Sequence, residues 1–311
     1  MTNIIFYAIQ ILAIPMLSPL VIGIVRKAKA RFQNRHGASV LQPYRDLIKL
    51  FNKDEVISRD ASFIFRFAPY IIFAVTLIVA ASIPIFSTMF ENNPISDFLT
   101  IIYITSISIF FLALAGMDTG SAFGGFGSSR EMTMVALTEG GLIFSLFSLS
   151  FVAKSTNLFE IADHIQNMDF IVFAPLLLSF FAFIIAMLSE TARFPFDNPA
   201  THLELTMIHE AMILEYSGKR LALIEWSSFN KFLIFLTLCA NLFFPWGMTK
   251  EAVLAGGAIA LVLFFVKILA LALFVATLES SIAKFRFFKL PNLLLTSFVL
   301  SIVSIILLTT I

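Results

Sequence analysis

The stretch FIVFAPLLLSFFAFIIAMLS, residues 170–189, is twenty residues long and contains no charged side chain. About 20 apolar residues in an α-helix cross the hydrocarbon core of a bilayer, so this stretch predicts a transmembrane helix. Seven further stretches have the same character, at about 3–25, 67–90, 98–117, 132–153, 232–249, 252–278 and 291–311. The sequence therefore predicts an all-α membrane protein, a bundle of about eight transmembrane helices.

The composition supports this class and excludes several others. Hydrophobic residues make up 59% of the 311 residues and charged residues 13%, roughly half the share of about 25% in soluble domains. A formal net charge of +1 argues against a nucleic-acid binder, whose footprint is a basic excess. The single cysteine, Cys239, is too few for an iron–sulfur cluster or a zinc ribbon held by this chain alone.

The basic residues predict an orientation. Eighteen of the 21 lysines and arginines lie on one side of the predicted membrane, and ten of these lie in one segment. Because cytoplasmic loops are rich in Lys and Arg, that side is predicted to be cytoplasmic and both termini to lie outside. We expect a single transmembrane domain over 1–311, in the cell inner (cytoplasmic) membrane. Its cytoplasmic loops are expected at about 26–66, 118–131, 190–231 and 279–290.

The first of these loops contains an amphipathic pattern. Apolar side chains recur at helical spacing at Leu41, Tyr44, Leu47, Ile48 and Phe51, with charged residues between them. This spacing predicts a surface helix that lies on the membrane or against a partner subunit.

Ionisable residues within membrane helices are costly, so each is a candidate functional residue. Carboxylates and a lysine bridged by water form a workable proton relay, although a lysine and an acid can also pair merely to neutralise each other. Acids are densest in the segment after residue 189. The predicted proton-path residues are Glu139, Glu190, Asp197, Glu204, Glu210, Glu215, Lys267 and Glu279.

Two other patterns carry no chemistry of their own. The glycine-rich run 116–127 lacks the Gly-Lys-Ser/Thr ending of a nucleotide loop, and we interpret it as a tight turn before the next helix. A zinc site at His202, His209 and Glu210 is weakly supported, because two histidines four residues apart around a Glu are missing. We expect neither a catalytic residue nor a metal site on this chain.

Four stretches together resemble one family of membrane subunits. They are RFQNRHG (31–37) with LQPYRDLIKLF (41–51), GSAF to GSSRE (120–131) reaching Glu139, ETARFPFD (190–197) closed by EYSG (215–218), and AKFR (283–286). The family is called complex I subunit 1 in one branch. In the other branch, it is called formate hydrogenlyase subunit 4 or hydrogenase-4 component C. The segments DTGS (118–121) and HLELTMIHE (202–210) are more similar to the hydrogenase branch.

The resemblance implies a non-catalytic anchoring and coupling subunit that binds no cofactor itself. It also implies partners: peripheral hydrogenase-like large and small subunits, an iron–sulfur subunit and antiporter-like membrane subunits. The nickel–iron site and the iron–sulfur clusters would belong to these partners. Redox-driven changes in loop 190–231 would bias the protonation of the membrane acids and drive proton or Na⁺ pumping. Expected docking and cavity residues are Arg31, Arg35, Arg45, Asp46, Lys49, Arg130, Glu131 and Arg193.

Two alternatives remain open. Complex I subunits usually carry alternating acids after the Pro-Phe-Asp motif, where this chain has Ala200 and His202 and keeps an acid only at Glu204. Quinone binding, as in a NADH:quinone oxidoreductase, is therefore the second candidate. A stand-alone secondary ion transporter is the third, and it should show broken helices and pseudo-symmetric halves.

Overall fold

The computed structural model describes residues 2–88, 95–168, 170–197, 207–250 and 254–310. Eight of the described helices are long and apolar enough to cross a membrane, which confirms the predicted number. They are α1 (Thr2–Phe32), α3 (Phe63–Ser82), α4 (Phe98–Asp118), α5 (Ala122–Ala153), α7 (Phe170–Glu190), α9 (Gly218–Phe243), α10 (Leu254–Ser281) and α11 (Leu290–Thr310). The shorter elements are α2 (Gln42–Phe51), α6 (Leu158–Gln166), α8 (His209–Ile213) and a 3₁₀ turn at Phe287–Lys289.

The bundle has two ends of different character. The basic face is the end at which α1, α4, α7 and α10 finish, and it includes α2, α8 and the 3₁₀ turn. At the opposite face, two pairs of segments are joined by backbone hydrogen bonds: Thr88 N–H to the Thr249 carbonyl (3.1 Å) and Leu158 N–H to the Ser96 carbonyl (2.9 Å). An even number of spans places both ends of the chain at this opposite face, and the outside location of that face stays a prediction.

The predicted surface helix is present as α2. Pro43 and Leu47 are buried, and the Tyr44 hydroxyl donates a hydrogen bond to the carbonyl of Met16 in α1. Leu41, just before the helix, and Ile48 are more than half exposed. One side of α2 therefore packs on the bundle, and the other side carries apolar surface beyond it.

The start of α5 differs from the prediction. The expected turn at 116–127 is helical from Ala122 onward, ten residues before the predicted span at 132. A Cβ atom on Gly124 would lie 2.0 Å from the carbonyl oxygen of Gly116 in α4. The glycines therefore let α4 and α5 approach backbone to backbone instead of ending a helix, and the predicted loop 118–131 is mostly helix.

The start of α9 also differs. The span predicted from 232 begins at Gly218, so the last third of the predicted loop 190–231 belongs to a membrane helix. Hydropathy averaging missed this part because charged residues interrupt it, including Arg220 and Lys231. In addition, α3 ends at Ser82 instead of near 90, before the non-helical residues around Pro84.

Two prolines explain how α9 and the turn before it are fixed to the bundle. A proline inside a helix leaves the carbonyl four residues earlier without its helical donor, and a bilayer offers no water to replace it. Pro19 frees the Pro15 carbonyl in this way, which accepts a hydrogen bond from the Trp226 indole N–H at 2.9 Å. In α3, Pro69 frees the Phe65 carbonyl, which accepts a hydrogen bond from the Tyr216 hydroxyl at 3.0 Å.

The glycine contact between α4 and α5 gives a matched pair of substitutions. Gly124→Ala forces two helix backbones apart, and we expect it to lower the free energy of unfolding by about 1–3 kcal/mol. Gly125→Ala adds a methyl group in open space and should be neutral or raise stability by up to about 1 kcal/mol through helix propensity. Thermal unfolding of the two purified variants in detergent measures the difference. Equal midpoints would refute the close packing of α4 on α5.

Candidate functional site

Four acids are at least nine-tenths buried close to the basic face: Glu131, Glu190, Asp197 and Glu279. They come from the first turns of α5, the end of α7, the segment after it, and the end of α10. A buried carboxylate is unfavourable unless a cation or several hydrogen bonds compensate it, so the partners of each acid define the site.

Glu279 is compensated by two cations from different parts of the chain. Lys29 Nζ, near the end of α1, lies 2.6 Å from one carboxylate oxygen, and the Arg193 guanidinium lies 2.8 Å from the other. The same guanidinium lies over the Phe232 ring of α9 at 3.6 Å from its centroid. This triad joins α1, α9, α10 and the segment after α7.

Asp197 fixes the other end of that segment. Lys284, after α10, lies 2.9 Å from its carboxylate. The backbone N–H groups of Ile208 and His209 also donate to this carboxylate, at 3.2 and 3.0 Å. The start of α8 is therefore held on the buried end of the ETARFPFD motif.

Glu190 forms an ion pair with Lys231 across α7 and α9, at 2.9 Å. Both side chains line a small cavity of about 30 Å³, which Glu131 and His209 also line. The His209 Nδ1 lies 3.9 Å from a Glu131 carboxylate oxygen. The cavity thus brings two acids, a lysine and a histidine to one place below the basic face.

The electrostatics of His209 favour its charged form. Burial lowers the pKa of this histidine, but the neighbouring carboxylates of Glu131 and Glu210 outweigh burial, so the pKa is raised above its usual value of 6.5. His209 therefore takes up a proton more readily than an isolated histidine. A group with this behaviour is suited to passing protons at neutral pH.

A chain of polar groups continues from this cavity toward the middle of the membrane. Glu139 follows Glu131 by eight residues in α5, which is about 12 Å along the helix axis. It accepts a hydrogen bond from the Ser106 hydroxyl of α4. Beside it, the hydroxyls of Thr138 and Ser189 lie 2.8 Å apart and join α5 to α7 next to Glu190.

A second cavity, of about 220 Å³, lies on the other side of His209, toward α1. His209 lines both cavities and is the one titratable side chain that the two described linings share. The charged residues of the larger cavity are Arg26, Lys29, Arg193, Asp197, His209, Glu210 and Glu225. His209 thus lies between a cavity near the basic face and the buried acids.

The structure brings together some of the predicted proton-path residues and not others. Glu190, Asp197, Glu210 and Glu279 belong to the cluster around the two cavities, and Glu139 lies just beyond it. Glu215 is exposed at the basic face. Lys267 lies twelve residues before Glu279 in α10, about 18 Å along the axis. Glu204 lies outside the described residues.

The predicted docking residues also separate into two groups. Arg31, Arg35, Arg45 and Lys49 are exposed on the basic face. The other four have partners within the chain. Asp46 accepts from Gln42, Arg130 donates to the Met207 carbonyl, and Glu131 and Arg193 belong to the buried cluster.

Sequence reasoning missed Lys29, Lys231 and His209 as site residues. Lys29 and Lys231 lie in predicted loops, where a lysine indicates orientation but no buried partner. The sequence contains one sign of the role of Lys231. It is a single charged residue directly before a long apolar run, which is the position of a charge buried inside a membrane helix. In the sequence, His209 is a candidate only as a metal ligand.

The comparisons with known proteins agree with this architecture. Residues 4–310 match the model of the NADH dehydrogenase family, NADHdh. The chain belongs to the NADHdh family. This confirms the resemblance inferred from the sequence, and an NADHdh chain with eight spans is a multi-pass membrane protein.

Several NADHdh relatives show how the similarity is distributed. Formate hydrogenlyase subunit 4 of Escherichia coli K12 is 33% identical, with 94% of each chain covered. Hydrogenase-4 component C of the same organism is 34% identical over 91% of this chain and 89% of the relative. NADH-ubiquinone oxidoreductase chain 1 of Chondrus crispus is 28% identical over 74% and 73%.

One solved structure shows the same fold. A chain in the membrane-bound sulfane sulfur reductase, an archaeal respiratory membrane complex, superimposes with a TM-score of 0.83 at 20% identity. The alignment covers 99% of this chain and 100% of the other. At this identity the likeness concerns the fold.

The raised pKa of His209 gives a prediction about stability and pH. A pKa that is higher in the folded protein stabilises the fold below the unfolded value of 6.5, and this stabilisation disappears as the pH rises through the folded pKa. We expect His209→Gln to lower the unfolding midpoint at about pH 5.5, with little electrostatic difference left at about pH 8.5.

Thermal unfolding of the wild type and of His209→Gln between about pH 5.5 and about pH 8.5 checks the prediction. Glu131→Gln is the matched control, because removing that carboxylate should shrink the same pH-dependent difference. A difference between wild type and His209→Gln that grows with rising pH would show that the sign is wrong.

Proposed function

We propose that this chain is the membrane-anchoring and ion-coupling subunit of a multisubunit membrane-bound hydrogenase or formate hydrogenlyase-type complex. In this role, it links electron transfer in a peripheral arm to the movement of protons, or Na⁺, in the inner membrane. The observation that carries the proposal is the succession of acids from the cavity at the basic face, through the buried Glu131 and Glu190, to the half-buried Glu139. The names of the E. coli relatives support the type of complex.

Electron transfer would take place in partner subunits. Iron–sulfur clusters are held by several cysteine thiolates, and this sequence has one cysteine, which is buried in the bundle. Large and small hydrogenase-like subunits and an iron–sulfur subunit would dock on the basic face. The exposed arginines at 31, 35 and 45, with Lys49, supply charge for that contact.

The proton route would begin in the larger cavity. A proton taken up there by His209 has the Glu131 carboxylate 3.9 Å away as its next acceptor. Glu190 lines the same small cavity as Glu131, and Glu139 lies deeper in α5. The hydroxyls of Ser106, Thr138 and Ser189 lie around the step to Glu139, and a relay through water and side chains requires such polar groups between its acids.

Coupling would act through the segment 191–197 and α8. Asp197 holds the backbone of His209, and Arg193 holds Glu279, so a displacement of this segment by a docked partner changes two buried charges at once. Moving His209 away from Glu131 would also remove the interaction that raises the histidine pKa. The segment would thereby convert a redox-linked movement into proton release toward the antiporter-like subunits.

Quinone binding is the second candidate. The larger cavity has an apolar wall of Ile22, Val25, Phe229 and Phe232 beside its charged side, which suits an amphipathic ligand. Relatives named NADH-ubiquinone oxidoreductase chain 1 favour the same function. A stand-alone transporter receives less support, because the eight described spans are continuous helices without the breaks typical of transporters.

Metal analysis of the complex purified in mild detergent separates these candidates. Nickel together with iron supports the hydrogenase-type complex. Iron without nickel, combined with quinone-linked activity, supports the second candidate. A chain that purifies alone and is monodisperse contradicts both.

Neutralising a single acid tests the proton route. Glu139→Gln and Glu190→Gln should each reduce ion translocation by the reconstituted complex by about tenfold or more, because an amide cannot relay a proton. Electron transfer by the peripheral arm should continue, measured with a soluble electron donor and acceptor. The matched control is Glu160→Gln, an exposed acid in α6 at the opposite face. Wild-type translocation in both variants would refute the route.

A further inference from the structure

Lys267 is at the midpoint of α10, thirteen residues after Leu254 and fourteen before Ser281. At 1.5 Å per residue, it lies about 20 Å from either end of the helix. A lysine side chain extends about 6 Å, roughly one helical turn, so its ammonium group cannot reach either membrane surface. Its side chain is only partly buried by the rest of the chain.

The described part of this chain offers Lys267 no carboxylate. The helices packed against α10 are α1 and α9. No acid occurs in α1, and the acid of α9, Glu225, lies near the basic face beside the larger cavity. Glu279, in α10 itself, is held by Lys29 and Arg193. No described ion pair or hydrogen bond involves the Lys267 ammonium group.

The surroundings of Lys267 show which side of α10 is open. The buried side, with Ala260, Phe264 and Ile268, faces the bundle, whereas Val262 and Val266 are 62% and 58% exposed. Lys267 lies at the border between these two sides. Seven residues separate it from Ala260 and four from Leu263, so the three side chains share one flank of the helix.

That flank continues into an open groove. A groove of about 530 Å³ at the opposite face is lined by residues 247–250 and by four residues of α10. Leu263, the groove residue nearest to the middle of the membrane, is one helical turn from Lys267. The groove and the lysine therefore form one continuous surface along α10.

We propose that a transmembrane helix of another membrane subunit occupies this flank of α10 and places an aspartate or glutamate beside Lys267. Charge complementarity identifies the occupant: a lipid tail fills the groove but leaves the ammonium group uncompensated at mid-membrane depth, whereas a carboxylate forms an ion pair. The proposal requires a multisubunit membrane complex but not the proton route described above.

Two variants of the complete complex test the proposal. Lys267→Met keeps the length of the side chain but leaves the partner carboxylate unpaired, so recovery of a membrane partner in mild detergent should fall by about tenfold or more. Lys267→Arg is the matched control, because it keeps the charge and should retain the partner. For the two variant chains purified away from partners, the unfolding midpoint of Lys267→Met should be no lower than that of Lys267→Arg, so that loss of the partner does not reflect loss of the fold. Wild-type partner recovery with Lys267→Met would overturn the proposal.

A photo-crosslinking residue at Val266 identifies the occupant directly. We expect a crosslink to a transmembrane peptide of another subunit that contains Asp or Glu within about two helical turns of the crosslinked position. Crosslinking to lipid alone, or to a transmembrane peptide without an acid, would overturn the proposal. This result does not depend on ion translocation, so it is distinct from failure of the proposed proton route.

Discussion

A carboxylate buried below a membrane surface has to be neutralised, and in this protein the cations that neutralise it come from distant parts of the chain. Glu279 takes one cation from α1 and one from the segment after α7, Glu190 takes one from α9, and Asp197 takes one from beyond α10. Each pair therefore fixes the position of one helix end against another. Apolar packing alone is less specific in a bilayer, because lipid tails are as apolar as the helices.

Backbone groups impose a second constraint of the same kind. The carbonyls freed by Pro19 and Pro69 need donors, and Trp226 and Tyr216 supply them from α9 and the turn before it. The stacked rings of Phe65 and Tyr216, 3.9 Å between centroids, strengthen the second contact. Residues 191–197 are held by the ion pairs of Arg193 and Asp197, and residues 207–217 are held through the Tyr216 hydroxyl. The two cavities lie between these contacts and the bundle.

Hydropathy predicts the number of spans, because it depends only on the apolar residues within each stretch. It misplaces the starts of α5 and α9, where a residue depends on its contact with a distant part of the chain. Gly124 resembles a helix breaker in sequence, yet it permits the contact of α4 with α5. Lys231 resembles a loop residue in the sequence, because the acid that neutralises it, Glu190, is 41 positions away and gives no local sign. The acids Glu139, Glu190 and Glu279 can be found from their positions within or at the ends of apolar stretches. The fold is needed to pair Lys29 with Glu279 and Lys231 with Glu190.

The same constraint connects structure to function. A buried carboxylate is stabilised either by a neighbouring cation or by taking up a proton, which removes its charge. In the proposed coupling, a movement that withdraws Lys231 from Glu190 would leave a charge that the low-dielectric interior does not tolerate, so the acid would take up a proton. Restoring the cation would release the proton again. In the proposed function, the ion pairs that hold the bundle together would therefore exchange movement of a segment for protonation of an acid.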